Sequence, residues 1–226
     1  MLRGLFVTGS DTGVGKTVVS AALVHHLRPY ASQIRYWKPF QTGCYEDDDT
    51  ATVRELGGCN PTEIVDVGVR LKAPLAPLFA ARLEDKSVAI KDALDALKQK
   101  ETNNTDETIW IVEGAGGLLV PINDKEMIID VISTLNLPAV VAVRSTLGTI
   151  NHSLLTLEAL RKREIPIAGV VMVGNPSADN REAIETFGNV HVLGCMPFFE
   201  DLNAKTLSVW AETELDQNGH LWELFR

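Results

Sequence analysis

The sequence predicts an α/β fold: a doubly wound, mostly parallel sheet with flanking helices, formed as a single domain over residues 1–226. Three observations predict it. Short β-branched runs alternate with stretches of helical period, the pattern of parallel strands joined by crossover helices. The runs are apolar through most of their length, as strands covered on both faces are. A glycine-rich turn follows the first run and opens directly into the first helical stretch, and 226 residues are enough to bury one large core.

Taken in order, strands are predicted at residues 5–8, 34–38, 109–113, 139–143, 170–173 and 191–193. Helices fall between them. Residues 17–27 carry Val18, Ala21, Ala22 and Leu27 at helical spacing. Pro74 and Pro77 break regular structure before a short helix at 78–83. Residues 91–98 carry Ala93, Leu94 and Leu97, a weaker helix covers 127–135, and 150–163 carry Leu154, Leu155, Leu157 and Leu160. The polar segment 102–106 reads as a surface loop. After Asp201 no period stands out. In such a sheet, ligands bind outside the carboxyl ends of the strands.

Composition narrows the function. Lys plus Arg is 21 and Asp plus Glu is 30, a formal net charge of -9. Nucleic-acid binding rests on clustered cations, so an acidic chain argues against it, and against an anionic membrane surface too. No apolar run approaches the roughly 20 residues of a membrane span, and the N-terminal apolar stretch is too short for a secretion signal. Cys44, Cys59 and Cys195 are odd in number and widely spaced. They form no disulfide framework and no zinc pattern, and fit free thiols in a cytoplasmic protein.

The strongest motif is Gly9-Ser10-Asp11-Thr12-Gly13-Val14-Gly15-Lys16-Thr17, between a strand and a helix. That is the context of a phosphate-binding P-loop. Glycines let backbone N–H groups turn inward on phosphate oxygens, and the helix start adds its positive dipole end. Lys16 would reach the β- and γ-phosphates and Thr17 would offer its hydroxyl to Mg²⁺. Five residues separate Gly9 from Gly15, where the usual pattern has four between its first glycine and Gly-Lys. A second part of the site is an acid ending a later apolar strand. Ile109-Trp110-Ile111-Val112-Glu113 supplies it at the carboxyl edge, and Gly114-Ala115-Gly116-Gly117 follows as a turn open to close backbone approach. Lys38 ends the second strand and points toward the phosphates. The run Glu46-Asp47-Asp48-Asp49 reads by itself as a solvated loop, but beside a P-loop one of its carboxylates is a candidate metal ligand.

These blocks resemble the dethiobiotin synthetase family. The resemblance is carried by the nine-residue loop with its unusual spacing, Lys38-Pro39-Phe40-Gln41-Thr42-Gly43, Ala73-Pro74-Leu75-Ala76-Pro77, Val112-Glu113-Gly114-Ala115-Gly116-Gly117 and Leu147-Gly148-Thr149-Ile150-Asn151-His152. It implies a P-loop NTPase-like fold and an ATP- and Mg²⁺-dependent ligase. The substrates it implies are 7,8-diaminononanoate and CO₂ or bicarbonate. A carbamate would attack the γ-phosphoryl group, and the second amine would then close a cyclic urea. It also implies a homodimer with active sites at the interface. By motif, Lys16, Lys38 and Thr42 are the catalytic residues. Thr12, Gly13, Val14, Gly15, Lys16 and Thr17 hold the phosphates, and Asn175 meets the adenine. Thr17, Asp49 and Glu113 bind Mg²⁺, with Asp47 and Asp48 as neighbours of the same type. Thr12, Lys38, Thr42, Gly116 and Gly117 face substrate. Gly148, Thr149, Ile150 and Asn151, at a helix start, receive the substrate carboxylate from the partner subunit's side. A tyrosine that some members use on the substrate tail has no counterpart in residues 180–187.

The remaining polar and aromatic residues read as structural. His25 and His26 lie two turns beyond the loop, too far to touch phosphate. His191 sits on a late strand and His220 in the tail. His152 follows the helix start that it would orient. Trp37, Trp110, Trp210 and Trp222 fill core or interface. Two competing functions share the P-loop. A cobyrinate-type amidating enzyme would carry a glutaminase domain, and Cys195 lacks a nucleophile turn. A septum-positioning ATPase switch would carry a second lysine at the loop start, where Gly9-Ser10-Asp11 stands instead.

Overall fold

The computed structural model describes residues 2–45, 47–100 and 107–225. The loop expected at 102–106 and Glu46 lie outside them. In chain order the elements are β1 (Gly4–Gly9), α1 (Lys16–Leu27), β2 (Gln33–Trp37), β3 (Phe40–Gln41), α2 (Asp49–Leu56), β4 (Ile64–Val65), β5 (Val69–Arg70), α3 (Pro77–Leu83) and α4 (Ile90–Lys100). They continue with β6 (Thr108–Gly117), α5 (Ile128–Leu135), β7 (Ala139–Arg144), α6 (Thr149–Lys162), β8 (Ile167–Val173), α7 (Ala178–Gly188), β9 (Val192–Met196), α8 (Ala204–Thr213) and α9 (His220–Glu223). A single 3₁₀ turn, Arg28–Tyr30, follows α1.

Seven strands form one sheet in the order β4-β2-β6-β1-β7-β8-β9, and every pairing in it is parallel. Alternate residues along β1 separate two cores. Leu5 and Val7 join Val19, Leu23 and Leu27 of α1, Val53 of α2 and Trp210 of α8 on one face. Phe6 joins Ile132 of α5, Leu157 and Leu160 of α6 and Ile184 of α7 on the other. Both faces of the central strand are therefore buried, which is why its sequence is apolar without alternation. Helices on both faces make the sheet doubly wound, as predicted.

Five predicted helices and six predicted strands recur, with boundaries shifted by at most four residues, the largest shift at the end of β6. The reading of the acidic run as a loop holds for Asp47 and Asp48 but is corrected at Asp49. Asp49 begins α2, because Asp48 caps it by accepting from the N–H groups of Thr50 and Ala51. The turn expected at Gly114 is also corrected. β6 runs on through Gly117, its pairing to β1 shifting between Val7 and Gly9, and Gly116 takes φ 70°. Missed altogether were the two-residue β4, the small β3–β5 ribbon, and α2, α7, α8 and α9. Among the described residues no helix is long and apolar enough to cross a membrane.

Candidate active site

Register brings the site together. Val7 of β1 lies beside Glu113 of β6, and Trp37 of β2 lies beside Val112. The next residue after Trp37, Lys38, therefore stands next to Glu113, at the same edge of the sheet. The P-loop leaves that edge from β1. Gly13 and Gly15 adopt φ 68° and 93°, a region open to glycine and costly for other residues. A Cβ on Gly15 would also sit 3.1 Å from a Val173 methyl. Lys16 opens α1, and its ammonium donates to the Asp11 carbonyl at 3.1 Å.

A cleft of 480 Å³ collects these parts. Its walls include Thr12, Gly13, Gly15, Lys16 and Thr17 from the loop, Lys38 and Thr42 from the segment after β2, Asp47 and Asp49, and Glu113 and Gly116 from β6. At its floor Lys38 Nζ lies 2.5 Å from Asp49 Oδ2 and 2.7 Å from Glu113 Oε1. Thr17 Oγ1 lies 2.7 Å from Asp49 Oδ1 and 3.1 Å from Glu113 Oε1. Of the three adjacent aspartates, Asp49 is the one that makes these contacts. Asp48 is committed to the helix cap and to the Gln41 amide.

Electrostatics follow from burial. Lys38 is 4% exposed. Burial by itself would lower its pKa, but Glu113 and Asp49 outweigh it and leave the ammonium above its ordinary 10.5. Burial would raise Asp49, yet Lys38 and the Thr17 hydroxyl hold it below 3.8. Lys16 moves the other way. Burial lowers it, and repulsion from Lys38 adds to that against the attraction of Glu113.

The oxygen set fits a hard divalent cation. The Thr17 hydroxyl lies within 3.1 Å of both the Asp49 and the Glu113 carboxylate, so three side-chain oxygens crowd one place. Among the described residues no group of three or more His, Cys, Asp or Glu side chains is arranged to hold a metal ion by itself. Mg²⁺ needs none, since it is held by one or two carboxylates with water and phosphate oxygens completing its shell.

Other expected residues lie elsewhere. Gly117 lines a neighbouring cavity of 410 Å³ with Leu119, His152 and Leu155. Gly148 and Thr149 face the outer flank of the phosphate loop across a cavity of 80 Å³. Ile150 and Asn151 continue the first turn of α6, outside the main cleft. Asn175 is also outside it, two residues past the Val173 that packs on Gly15, its carbonyl accepting from the Ser145 hydroxyl at 2.5 Å. Val14 is buried behind the loop.

Three contributors were not read from the sequence. Tyr36 and Ser20 each donate to Glu113 Oε2, at 3.0 and 2.9 Å. Tyr36 stands two residues before Lys38 on the same strand face, and Ser20 one helical turn after Thr17, so period 2 and period 3.6 carried the signal. Arg144, at the end of β7, donates to the Thr12 carbonyl at 2.8 Å.

Comparison with known proteins places the chain in a family. A family profile described as an AAA domain matches residues 3–206. The chain is 45% identical over 207 residues to the ATP-dependent dethiobiotin synthetase BioD of Paramagnetospirillum magneticum, covering 92% of this chain and 94% of that protein. It is 40% identical to the protein of the same name from Brucella ovis, covering 90% of each. It is 49% identical to the biotin biosynthesis bifunctional protein BioCD of Bordetella avium, of which it spans 43%, less than half. Among solved structures, a ParA family ATPase from Chlorobium tepidum shares the fold with TM-score 0.55 and 11% identity, covering 93% of this chain and 98% of that one. The chain belongs to the dethiobiotin synthetase family.

Proposed function

We propose that the protein is an ATP-dependent cyclo-ligase that closes the ureido ring of dethiobiotin on 7,8-diaminononanoate with CO₂, releasing ADP and phosphate. The observation that carries this reading is the meeting of Lys16, Lys38, Thr42, Asp49 and Glu113 on one cleft beside a phosphate loop.

The chemistry has an electrostatic obstacle that this cleft suits. A carbamate formed from one substrate amine must approach a triphosphate, and two unit charges 4 Å apart repel by about 4 kcal/mol at an effective dielectric near 20. Lys16 and Lys38 bring positive charge from two sides of the cleft. Lys38 is buried and kept charged by its carboxylate neighbours. Its ammonium stands on the cleft wall, where it can meet an anion. Mg²⁺, when bound by Thr17, Asp49 and Glu113, would supply charge neutralisation at the phosphates. The carbamate oxygen then attacks the γ-phosphorus with ADP leaving, and the second amine attacks the resulting mixed anhydride, closes the ring and expels phosphate. Thr42 lies on the cleft wall where it can donate to the carbamate. Fixing the diamine by its distant carboxylate would hold the second amine over the carbonyl, and such positioning contributes roughly 7–11 kcal/mol in well-oriented reactions.

The carboxylate would meet the uncapped start of α6 at Gly148, Thr149, Ile150 and Asn151, donated by a second subunit. Leu155 on that helix and Leu119 and Leu147 outside it are exposed, apolar surface that supports a homodimer. The decisive experiment combines protein, MgATP, bicarbonate and the diamine. A cyclic urea with equimolar ADP supports the assignment. ADP release that ignores the diamine would replace it with a free-running ATPase.

A further inference from the structure

Glu113 is fully buried, and its two oxygens have different partners. Oε1 accepts from Lys38 Nζ at 2.7 Å and lies 3.1 Å from the Thr17 hydroxyl, both groups of the cleft wall. Oε2 accepts from Ser20 Oγ at 2.9 Å and Tyr36 OH at 3.0 Å, two buried hydroxyls that do not line the cleft. Ser20 comes from α1 and Tyr36 from β2, so two elements grip the same oxygen from beneath. A carboxylate held this way cannot rotate to offer both oxygens to one cation.

We propose that Tyr36 and Ser20 are positioning residues that restrict Glu113 to one-oxygen ligation and so set the preference of the site for Mg²⁺ over Ca²⁺. The inference rests on the reading above that Glu113 is a metal ligand. Its chemistry is general. Mg²⁺ requires a near-octahedral shell at 2.0–2.1 Å and takes carboxylates through single oxygens, whereas Ca²⁺ accepts six to eight oxygens at 2.3–2.6 Å and is served well by a carboxylate bound through both. Partners that orient a ligand typically change metal affinity 10–100-fold when removed. Releasing Oε2 therefore weakens Mg²⁺ binding and admits the larger ion.

The test measures binding without turnover. Mn²⁺ is titrated into the full chain with a saturating non-hydrolysable β,γ-imido ATP analogue, free Mn²⁺ is read by electron paramagnetic resonance, and Mg²⁺ or Ca²⁺ is added as competitor. Tyr36→Phe removes one oxygen and keeps the ring in its packing, Ser20→Ala removes the second donor, and Glu113→Gln serves as the reference. Thermal melting is recorded for each. The expected result is a fall of about 10-fold in the Mg²⁺-over-Ca²⁺ preference for both hydroxyl variants. A lowered melting temperature with an unchanged preference would assign the hydroxyls to packing alone and overturn the inference. Unchanged Mn²⁺ binding in Glu113→Gln would overturn the metal-ligand reading beneath it.

Discussion

Lys38 sits between two carboxylates, 2.5 Å from Asp49 and 2.7 Å from Glu113, and its charge is the one the proposed chemistry uses most directly. Lys38→Ala is expected to keep nucleotide binding and to lose product formation by about 10²-fold or more, the usual cost of removing one electrostatic stabiliser. Near-normal turnover would take the residue out of the mechanism. Lys16→Gln is expected to lose phosphoryl transfer by at least ~10²-fold, read from single-turnover ADP release. The network also has a pH signature. Asp49 titrates below 3.8 in the fold, so the stability it contributes is whole above that pH and is lost as pH falls through the lower folded value. Lys38 has the opposite sign: raised above 10.5, it contributes in full below that pH and loses this contribution as pH rises through the higher folded value. The melting deficit of Asp49→Asn relative to the unaltered protein should therefore shrink below pH 3.8, and a constant deficit across that range would contradict the pairing. At this scale the sequence was readable where a residue type names its chemistry, as in Gly15-Lys16-Thr17. For Tyr36 and Ser20 it carried only their spacing from Lys38 and Thr17, and a tyrosine on a strand and a serine in a helix are ordinary core residues until the register aims them at one carboxylate.

Elements were legible in proportion to their burial on both sides. β1, β6, β7 and β8 are covered above and below, so their apolar runs stand out. β4 and the β3–β5 ribbon are two residues per strand, too short to show any period. α2 escaped because its face toward the core carries little more than Thr50, Val53 and Leu56, and its start hides in an acidic run. That start nevertheless sets the site. The Asp48 cap fixes the first turn, and Asp49 is its first residue. Asp48→Ala should cost about 1 kcal/mol of stability in urea unfolding, together with a weaker apparent Mg²⁺ affinity as Asp49 loses its anchor. Unchanged values for both would show that α2 holds Asp49 without the cap. The loop end is equally constrained. Gly15→Ala would place a methyl at φ 93° and 3.1 Å from Val173, and is expected to abolish nucleotide binding before it unfolds the domain.

For the whole molecule, the doubly wound sheet was predicted chiefly from the alternation of apolar runs with helical stretches, and the observed strand order puts β1 between β6 and β7 with its phosphate loop at the shared edge. The dimer has no such signature in one chain. What the fold shows is a distribution: Lys16, Lys38 and Thr42 on the main cleft, Gly148 and Thr149 on a separate small cavity, and exposed leucines between solvent and that second region. Sedimentation equilibrium should find a homodimer, and Leu147→Asp with Leu155→Asp should return a monomer with lost turnover and retained ATP binding. A fully active monomer would confine the whole site to one chain. The central chemical claim is that an oxygen derived from CO₂ attacks the γ-phosphorus in the cleft between Lys16 and Lys38. It is tested most directly by supplying ¹⁸O-labelled bicarbonate with MgATP and the diamine, and weighing the released phosphate by mass spectrometry before label exchanges with water. One ¹⁸O per phosphate is the predicted result; unlabelled phosphate accompanying full ring closure would contradict it.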